Sequence, residues 1–389
     1  MNHARRSGAL ARGGLYAGAF LGPFGGGITV AMLPELGSAY DVSPGSASLS
    51  LTAYLLPFAA VMLFSGTLGE RWGRRRTVVT AYGVYVLASG ACILASAFPV
   101  FLAARALQGA ANAFTTPLLL SALAAAVPAQ RLGRALGWFG SLQAAGQTSA
   151  PLLGGFAAEV DWRLAFAGVA VVAALLIVIG IPAEARPGAV RPGLGDALRA
   201  AMRPAVLRAG VAAALGWGCL AGLNFLVALR LEEEFGIGAG PRGLLLTGLG
   251  VAGLLTARLV GGGVDRIGGR RSVLLGAGLG AVVVVAVGAL PAVWPVALAW
   301  AAGGVASQLL MVGVNAMVLG TAENRGGAVS VVQAVRFGGG ALSPVAITPI
   351  YHADPLAGFL VPAALLAVAV PATLARGGQD PSTDSNARA

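Results

Sequence analysis

The chain has 389 residues, 57% of them hydrophobic and only 11% charged, with a further 59 glycines and a mean hydropathy of +0.80. Counting glycine raises the apolar share to roughly 70%, far above the soluble norm of about 45–50%, which excludes a water-soluble globule; so few charges exclude a disordered chain, and two cysteines, Cys92 and Cys219, exclude a disulfide scaffold. The formal charge is +11, all basic side chains are arginine, and only their placement can decide between a nucleic-acid partner and a membrane.

A membrane leaves a choice between helices and a closed barrel. Leu164 to Ile181 is apolar on every face instead of alternating, which predicts helices. Runs long enough to cross a core of about 30 Å fall at roughly 13–34, 46–69, 77–97, 100–126, 134–158, 164–183, 208–230, 242–263, 272–290, 295–320, 328–350 and 356–375. The expected fold class is an all-α polytopic membrane protein of about twelve transmembrane helices, with both termini on one side. The first run exceeds the core of a signal peptide and lacks a prompt small-residue cleavage site, so it reads as a retained helix.

Arg5, Arg6 and Arg12 precede the first run, Arg71 and Arg74 to Arg76 follow the second, Arg131 and Arg134 the fourth, Arg266, Arg270 and Arg271 the eighth, and Arg325 the tenth. These loops share one side, expected to be cytoplasmic, in a bacterial inner membrane. The opposite loops carry Glu35, Asp41, Glu159, Asp161, Glu232 to Glu234 and Asp354. The arginines are therefore a topology signal, and no nucleic-acid partner is expected. The longest polar interruption contains Pro187, Pro192, Pro204, Arg199 and Arg203. It divides the chain into a first six-helix half (1–183), a cytoplasmic linker (184–207), a second half (208–375) and a cytoplasmic tail (376–389). Leu194 to Met202 within the linker fits either a surface amphipathic helix or a flexible connector.

Two patterns recur at one offset. Gly66-Thr-Leu-Gly-Glu70-Arg71-Trp-Gly73-Arg74-Arg75 is echoed by Gly261-Gly-Gly-Val-Asp265-Arg266-Ile-Gly268-Gly-Arg270-Arg271, 195 residues later counted from acid to acid. Arg131 and Arg325 each open a run that meets a proline, Pro151 or Pro344. Two homologous halves in parallel orientation are expected.

With these motifs the chain resembles the major facilitator superfamily of secondary transporters over nearly its whole length. The loop after helix 2 is similar to that superfamily's signature loop, with Glu70 where aspartate is more usual; Arg105-Ala-Leu-Gln108-Gly109 resembles its R-x-x-Q-G motif. Gly146-Gln-Thr-Ser-Ala150-Pro151-Leu-Leu-Gly154-Gly155 resembles the helix 5 motif of the drug:proton antiporters, with Ala150 in place of a glycine. The resemblance implies a gate and conformational set of Gly66, Glu70, Arg71, Gly73, Arg74, Arg105, Gly146, Pro151, Gly154, Gly155, Asp265, Arg266, Gly268 and Arg270. Glu70 would meet the N-terminus of a neighbouring helix, and the prolines and glycines of helix 5 would allow a kink and close packing.

Polar side chains inside the runs recur at helical spacing and should face the interior or a water-filled cavity. The expected substrate cavity is Gln108, Asn112, Thr116, Gln143, Gln147, Trp217, Asn224, Gln308, Asn315, Gln333 and Arg336. No acid lies between Gly13 and Pro34, so Glu35, at the outer end of helix 1, is the proton-coupling candidate. Arg105 and Arg336 lie deep without an acid at their depth, so the cavity should be positive and prefer anionic or neutral polar substrates over lipophilic cations.

No cofactor or metal is expected. Gly248-Leu-Gly250-Val-Ala-Gly253 spells a dinucleotide motif inside an apolar run with no strand before it, and His3 and His352 give no ligand spacing. No nucleophile–base constellation points to an enzyme. The expected function is a secondary active transporter, working as a single chain in the bilayer, that exports small amphipathic molecules by alternating access with or without proton exchange. A proton-independent facilitator or metabolite exporter is the alternative, and a polytopic receptor or enzyme the remote one.

Overall fold

The computed structural model describes residues 2–180, 203–321 and 325–375. Among them twelve helical rods run in sequence, and no strand is present. In the first half α1 is Asn2–Gly27 prolonged by Leu33–Tyr40, α2 is Pro44–Trp72, α3 Arg74–Leu94, α4 Phe98–Ala126, α5 Ala129–Val160 and α6 Arg163–Ile179. In the second, α7 is Pro204–Glu233, α8 Ala239–Ile267, α9 Gly269–Ala289, α10 Val293–Thr321, α11 Arg325–Ala353 and α12 Pro355–Ala375. Nine of the described rods are long and apolar enough to cross a membrane on their own. The expected linker residues 184–202, including the Leu194 to Met202 segment, and the tail 376–389 lie outside the described residues. The seventh rod begins at Pro204, ahead of the expected 208, with the proline in the first turn where its missing N–H costs nothing.

The rods α1, α4 and α7 are broken where the sequence supplies the means. α1 breaks after Gly25-Gly26-Gly27 into a short 3-10 turn, Val30–Met32. α7 breaks at Cys219 and Leu220, with a matching turn at Ala221–Leu223. Its freed Gly218 carbonyl accepts a hydrogen bond from Ser343 Oγ of α11 at 2.8 Å. α4 breaks after Asn112, whose carbonyl accepts from Thr115 Oγ1 at 2.8 Å. Buried carbonyls released from a helix need such partners, because hydrocarbon offers none.

Packing within each half depends on glycine set against backbone. Gly109 of α4 abuts the Tyr54 carbonyl of α2, and Gly304 of α10 abuts the Leu249 carbonyl of α8. Gly146 of α5 meets the Phe20 carbonyl of α1, as Gly339 of α11 meets the Ala214 carbonyl of α7. These pairs recur 193 to 195 residues apart, so the two halves are built on one skeleton. The turns between α2 and α3 and between α8 and α9 match as well. Gly73 (φ 93°) and Gly268 (φ 86°) each take a positive φ that a side chain would strain. In each turn a hydroxyl one helical turn later, Thr77 or Ser272, donates to that glycine's carbonyl.

The halves meet chiefly where α5 packs on α8 and α2 on α11. One end of the bundle carries Arg71, Arg74 to Arg76, Arg131, Arg134, Arg266 and Arg270; the other carries Glu35, Asp41, Glu159, Asp161 and Asp354. At the acidic end Gly155 lies against the Ala239 carbonyl, and Gly243 against the Pro151 carbonyl. On the other seam Gly45 touches Thr348 and His352. Ser48 and Thr348 share a hydrogen bond at 3.3 Å, and Thr52 Oγ1 donates to the Ala341 carbonyl at 2.6 Å. The described cross-half contacts run inward as far as Thr148 with Gly250 and Phe58 with Phe337, whose rings meet edge to face at 5.0 Å.

Candidate functional site

The polar stripe of α4 is placed differently from expectation. Arg105, Gln108 and Asn112 are almost completely buried inside the first half. Arg105 Nη1 donates to the Gly25 carbonyl at 3.1 Å and to Gln108 Oε1 at 2.8 Å, and its guanidinium lies 4.4 Å from the Tyr54 ring centre. Gln108 Nε2 donates to Ser89 Oγ at 2.8 Å, and Asn112 Nδ2 to the Gly22 carbonyl at 3.0 Å. Spacing of three or four residues gives a face but not what the face meets. Here it meets α1, α2 and α3, so Gln108 and Asn112 are interhelical glue instead of cavity wall in this arrangement, and Arg105 is held inside the first half away from the cleft. Asn224 is likewise engaged, accepting from Trp300 Nε1 at 2.9 Å. Gln308 packs against Gly253 in the α8–α10 seam.

Gln143 and Thr116 approach each other at 3.5 Å between α5 and α4. Gln147 is exposed. It points between the α5 face that meets α1 (Gly146, Ala150, Gly154) and the face that meets α8 (Thr148, Pro151, Gly155). Exposed Leu153, Phe156 and Val160 mark the opposite, lipid-facing side. Gln147 therefore faces the space between the halves.

The remaining expected cavity residues do come together. Trp217 of α7, Asn315 of α10, and Gln333 and Arg336 of α11 line one hollow, with Ser307, Met311 and apolar neighbours. Arg336 is buried, its guanidinium 4.4 Å from the Trp217 ring centre and 4.5 Å from that of Phe337. Phe337 is the ring that meets Phe58, so Arg336 sits just inside the point where the two halves part. Its Nη1 reaches only the Met311 thioether, at 3.3 Å, and its Nε has no partner. Among the described residues no carboxylate pairs with it.

At the acidic end the carboxylate missing from the interior appears in a cross-half pair. Arg242, fully buried at the start of α8, donates through Nη2 to both oxygens of Glu35 at 2.8 and 2.7 Å and through Nε to the Ala31 carbonyl at 2.8 Å. Beside it the Gly240 N–H, in the first turn of α8, donates to Glu159 Oε1 at 3.1 Å, placing an anion at the positive end of a helix. Arg230 makes no such crossing: it bonds Glu234 and the Leu290 carbonyl in its own half, and this holds the Glu234 carboxyl below its ordinary range. From sequence Arg242 is one of the few arginines on the acidic side, with Arg163 and Arg230, and nothing in the sequence assigns it a partner.

At the arginine-rich end Glu70 is engaged by side chains of two neighbouring rods. Its carboxylate accepts from Arg74 at 2.9 and 3.0 Å and from Ser121 of α4 at 2.5 Å, tying α2, α3 and α4. Gly69 is pressed on Leu118 of the same α4 segment, whereas Gly66 has room. Arg71 is exposed. The second-half counterpart keeps the turn but not the pairing: Asp265, Arg266 and Arg270 are exposed and form no described ion pair. In α5, Gly146 and Gly154 seat the helix on α1, while Gly155 and Pro151 seat it on α8. Pro151 is accommodated within one continuous helix, Ala129–Val160.

The Major Facilitator Superfamily model matches residues 15–344. Among curated relatives, EfpA, an uncharacterized MFS-type transporter of Mycobacterium tuberculosis, is 30% identical over 140 residues, which are 36% of this chain and 26% of that protein. The drug efflux pump JefA of the same species is 32% identical over 136 residues, 34% of this chain and 27% of that one. The matched segments thus span about a quarter of these relatives' length. Among solved structures, an inward-facing bacterial homolog of the human lysosomal transporter Spinster aligns with a TM-score of 0.71 at 16% identity, covering 95% of this chain and 91% of that one. A D-xylose–proton symporter aligns at 0.73 and 16%, covering 94% and 98%. Both likenesses bear on the fold alone.

Proposed function

The chain belongs to the major facilitator superfamily, a multi-pass membrane transporter and not an enzyme, and we propose that it exports small amphipathic molecules by rocking its two halves about the cleft between them. The arginine-rich end is then cytoplasmic, and on this reading the described arrangement corresponds to an inward-facing state. The carrying observation is that described cross-half contacts are confined to the acidic end, from Glu35–Arg242, Ser48–Thr348 and Gly155–Ala239 down to Phe58–Phe337. The likeness to JefA, a drug efflux pump, supports outward transport of such molecules.

Glu35 is the proposed coupling carboxylate. While ionised it holds the buried Arg242; a proton taken up from the outer side removes that partner and leaves an uncompensated buried cation, which weakens the closed outer seal. Acid outside therefore favours the outward-open state. A proton-independent facilitator is the second reading, favoured by the lack of any carboxylate deep in the described spans. Counterflow in proteoliposomes with and without a pH gradient separates the two. Proton drive should vanish in Glu35→Gln with passive exchange retained; an unchanged gradient dependence removes Glu35 from the mechanism.

Alternating access itself is tested by a Ser48→Cys/Thr348→Cys pair, whose hydroxyl oxygens lie 3.3 Å apart. The native Cys92 and Cys219 are buried. Oxidation should lock the outer seal and stop transport, and reduction should restore it. Full transport by the cross-linked protein defeats the rocking reading.

A further inference from the structure

The hollow around Arg336 contains a cation that the protein does not satisfy. The guanidinium lies against the rings of Trp217 and Phe337, at 4.4 and 4.5 Å, which uses its faces and leaves its N–H edges to find acceptors. Those edges are poorly served: Nη1 has a thioether, one of the weakest acceptors among side chains, and Nε has nothing. A buried, unpaired charge is costly unless a partner or water meets it. The charge is also not shared out. Arg105, the other deep arginine, leaves its Nη2 without a partner but bonds two carbonyls and Gln108 through Nε and Nη1 inside the first half, and every described acid stands near the end of a rod or in a loop.

We propose that Arg336 is the anion seat of a substrate site, and that the molecules carried are amphipathic carboxylates. The carboxylate would take the Nε–Nη2 edge, a two-pronged donor that matches its two oxygens. Met311 stands in as a weak acceptor in the empty state; its flexible side chain, partly exposed, can swing aside. Trp217 offers the apolar body a flat wall, and Asn315 and Gln333 line the same hollow with groups that donate and accept. The position fits a carried ligand as well. Phe337, next in sequence, meets Phe58 of the opposite half where the described cross-half contacts end, so a ligand on Arg336 sits against the part of the seam that must open. Lipophilic cations are disfavoured here by the same uncompensated charge.

The inference rests on the transport reading for its role but not for its binding test. The purified full chain is titrated by calorimetry with 2-naphthoate, its neutral isostere 2-naphthamide, and tetraphenylphosphonium. Naphthoate should bind at least about tenfold more tightly than the amide, the scale of a charge-assisted pair, with tetraphenylphosphonium weakest. Arg336→Gln should erase the preference, and Arg336→Lys, which keeps the charge but loses the fork, should retain part of it. Equal affinity for acid and amide, strong tetraphenylphosphonium binding, or a preference unchanged in Arg336→Gln would each overturn the assignment. Parallel uptake into proteoliposomes separates the two ideas. Naphthoate binding that depends on Arg336 without uptake of any probe defeats the transport reading and keeps the site. Uptake that is equal in wild type and Arg336→Gln defeats the site and keeps transport.

Discussion

The two halves share a skeleton and differ in charge. The glycine–carbonyl contacts of α2 with α4 and of α1 with α5 recur between α8 and α10 and between α7 and α11. The left-handed turns at Gly73 and Gly268 recur with their hydroxyl caps. The chemistry hung on this skeleton does not recur. The place of Arg105 is taken 195 residues later by Trp300, that of Gln143 193 residues later by Arg336, and the paired Glu70 corresponds to an exposed Asp265. Backbone approach tolerates no substitute for glycine, so both copies keep it. Side chains facing a cleft are under no such constraint, and the first half bonds its deep arginine to carbonyls and Gln108 while the second leaves Arg336 against two rings and a thioether.

The strongest challenge to the shared skeleton is a side chain at its closest contacts. Gly109→Leu and Gly304→Leu should each prevent accumulation of folded protein, since even a Cβ would strike the facing carbonyl of Tyr54 or Leu249. Monodisperse protein in normal yield from either variant would show that the contact is dispensable and that the repeat has no structural force. A smaller effect should expose the asymmetry. Glu70→Gln should cut transport severalfold at normal expression, because it breaks the tie among α2, α3 and α4; Asp265→Asn, at the matching turn, should leave rates within about twofold of wild type. Accessibility of single cysteines near the cleft should shift between inward-open and outward-open patterns in the first variant only. Equal losses in both would mean that the two loops act alike despite their different pairing.

Legibility in the sequence followed the physics of each feature. Twelve rods, two halves and the signature loops could be read because burial in lipid demands long apolar runs, arginine loops mark one side, and tight turns demand glycine at Gly73 and Gly268. The Trp217, Asn315, Gln333 and Arg336 grouping was likewise within reach of residue type and depth. What the sequence could not reveal was which neighbour each polar face meets. Gln108 and Asn112 have the spacing of a cavity stripe, yet their partners are Ser89 and the Gly22 carbonyl, supplied by α3 and α1. Glu35 and Arg242 are 207 residues apart, and only the packing of α1 on α8 makes them a pair. Rotation of a helix about its own axis and the pairing of distant rods are tertiary facts, and periodicity carries neither.

The smallest effect distinguishes glue from cavity within the first half. Asn112 is 4% exposed and bonded to the Gly22 carbonyl and Thr115, whereas Gln147 is exposed on the cleft-facing side of α5. A cysteine at 147 should react with a water-soluble thiol reagent and be shielded by bound substrate. A cysteine at 112 should stay inert in every state. Asn112→Leu should lower thermal stability by about 1 kcal/mol, the scale of one interhelical hydrogen bond in a membrane, and leave the order of preferred substrates unchanged. Gln147→Leu should change that order without changing stability, because no described hydrogen bond is lost with it. If residue 112 labels readily, or if Asn112→Leu alters selection as much as Gln147→Leu does, then α4 turns its polar face to the cleft during transport.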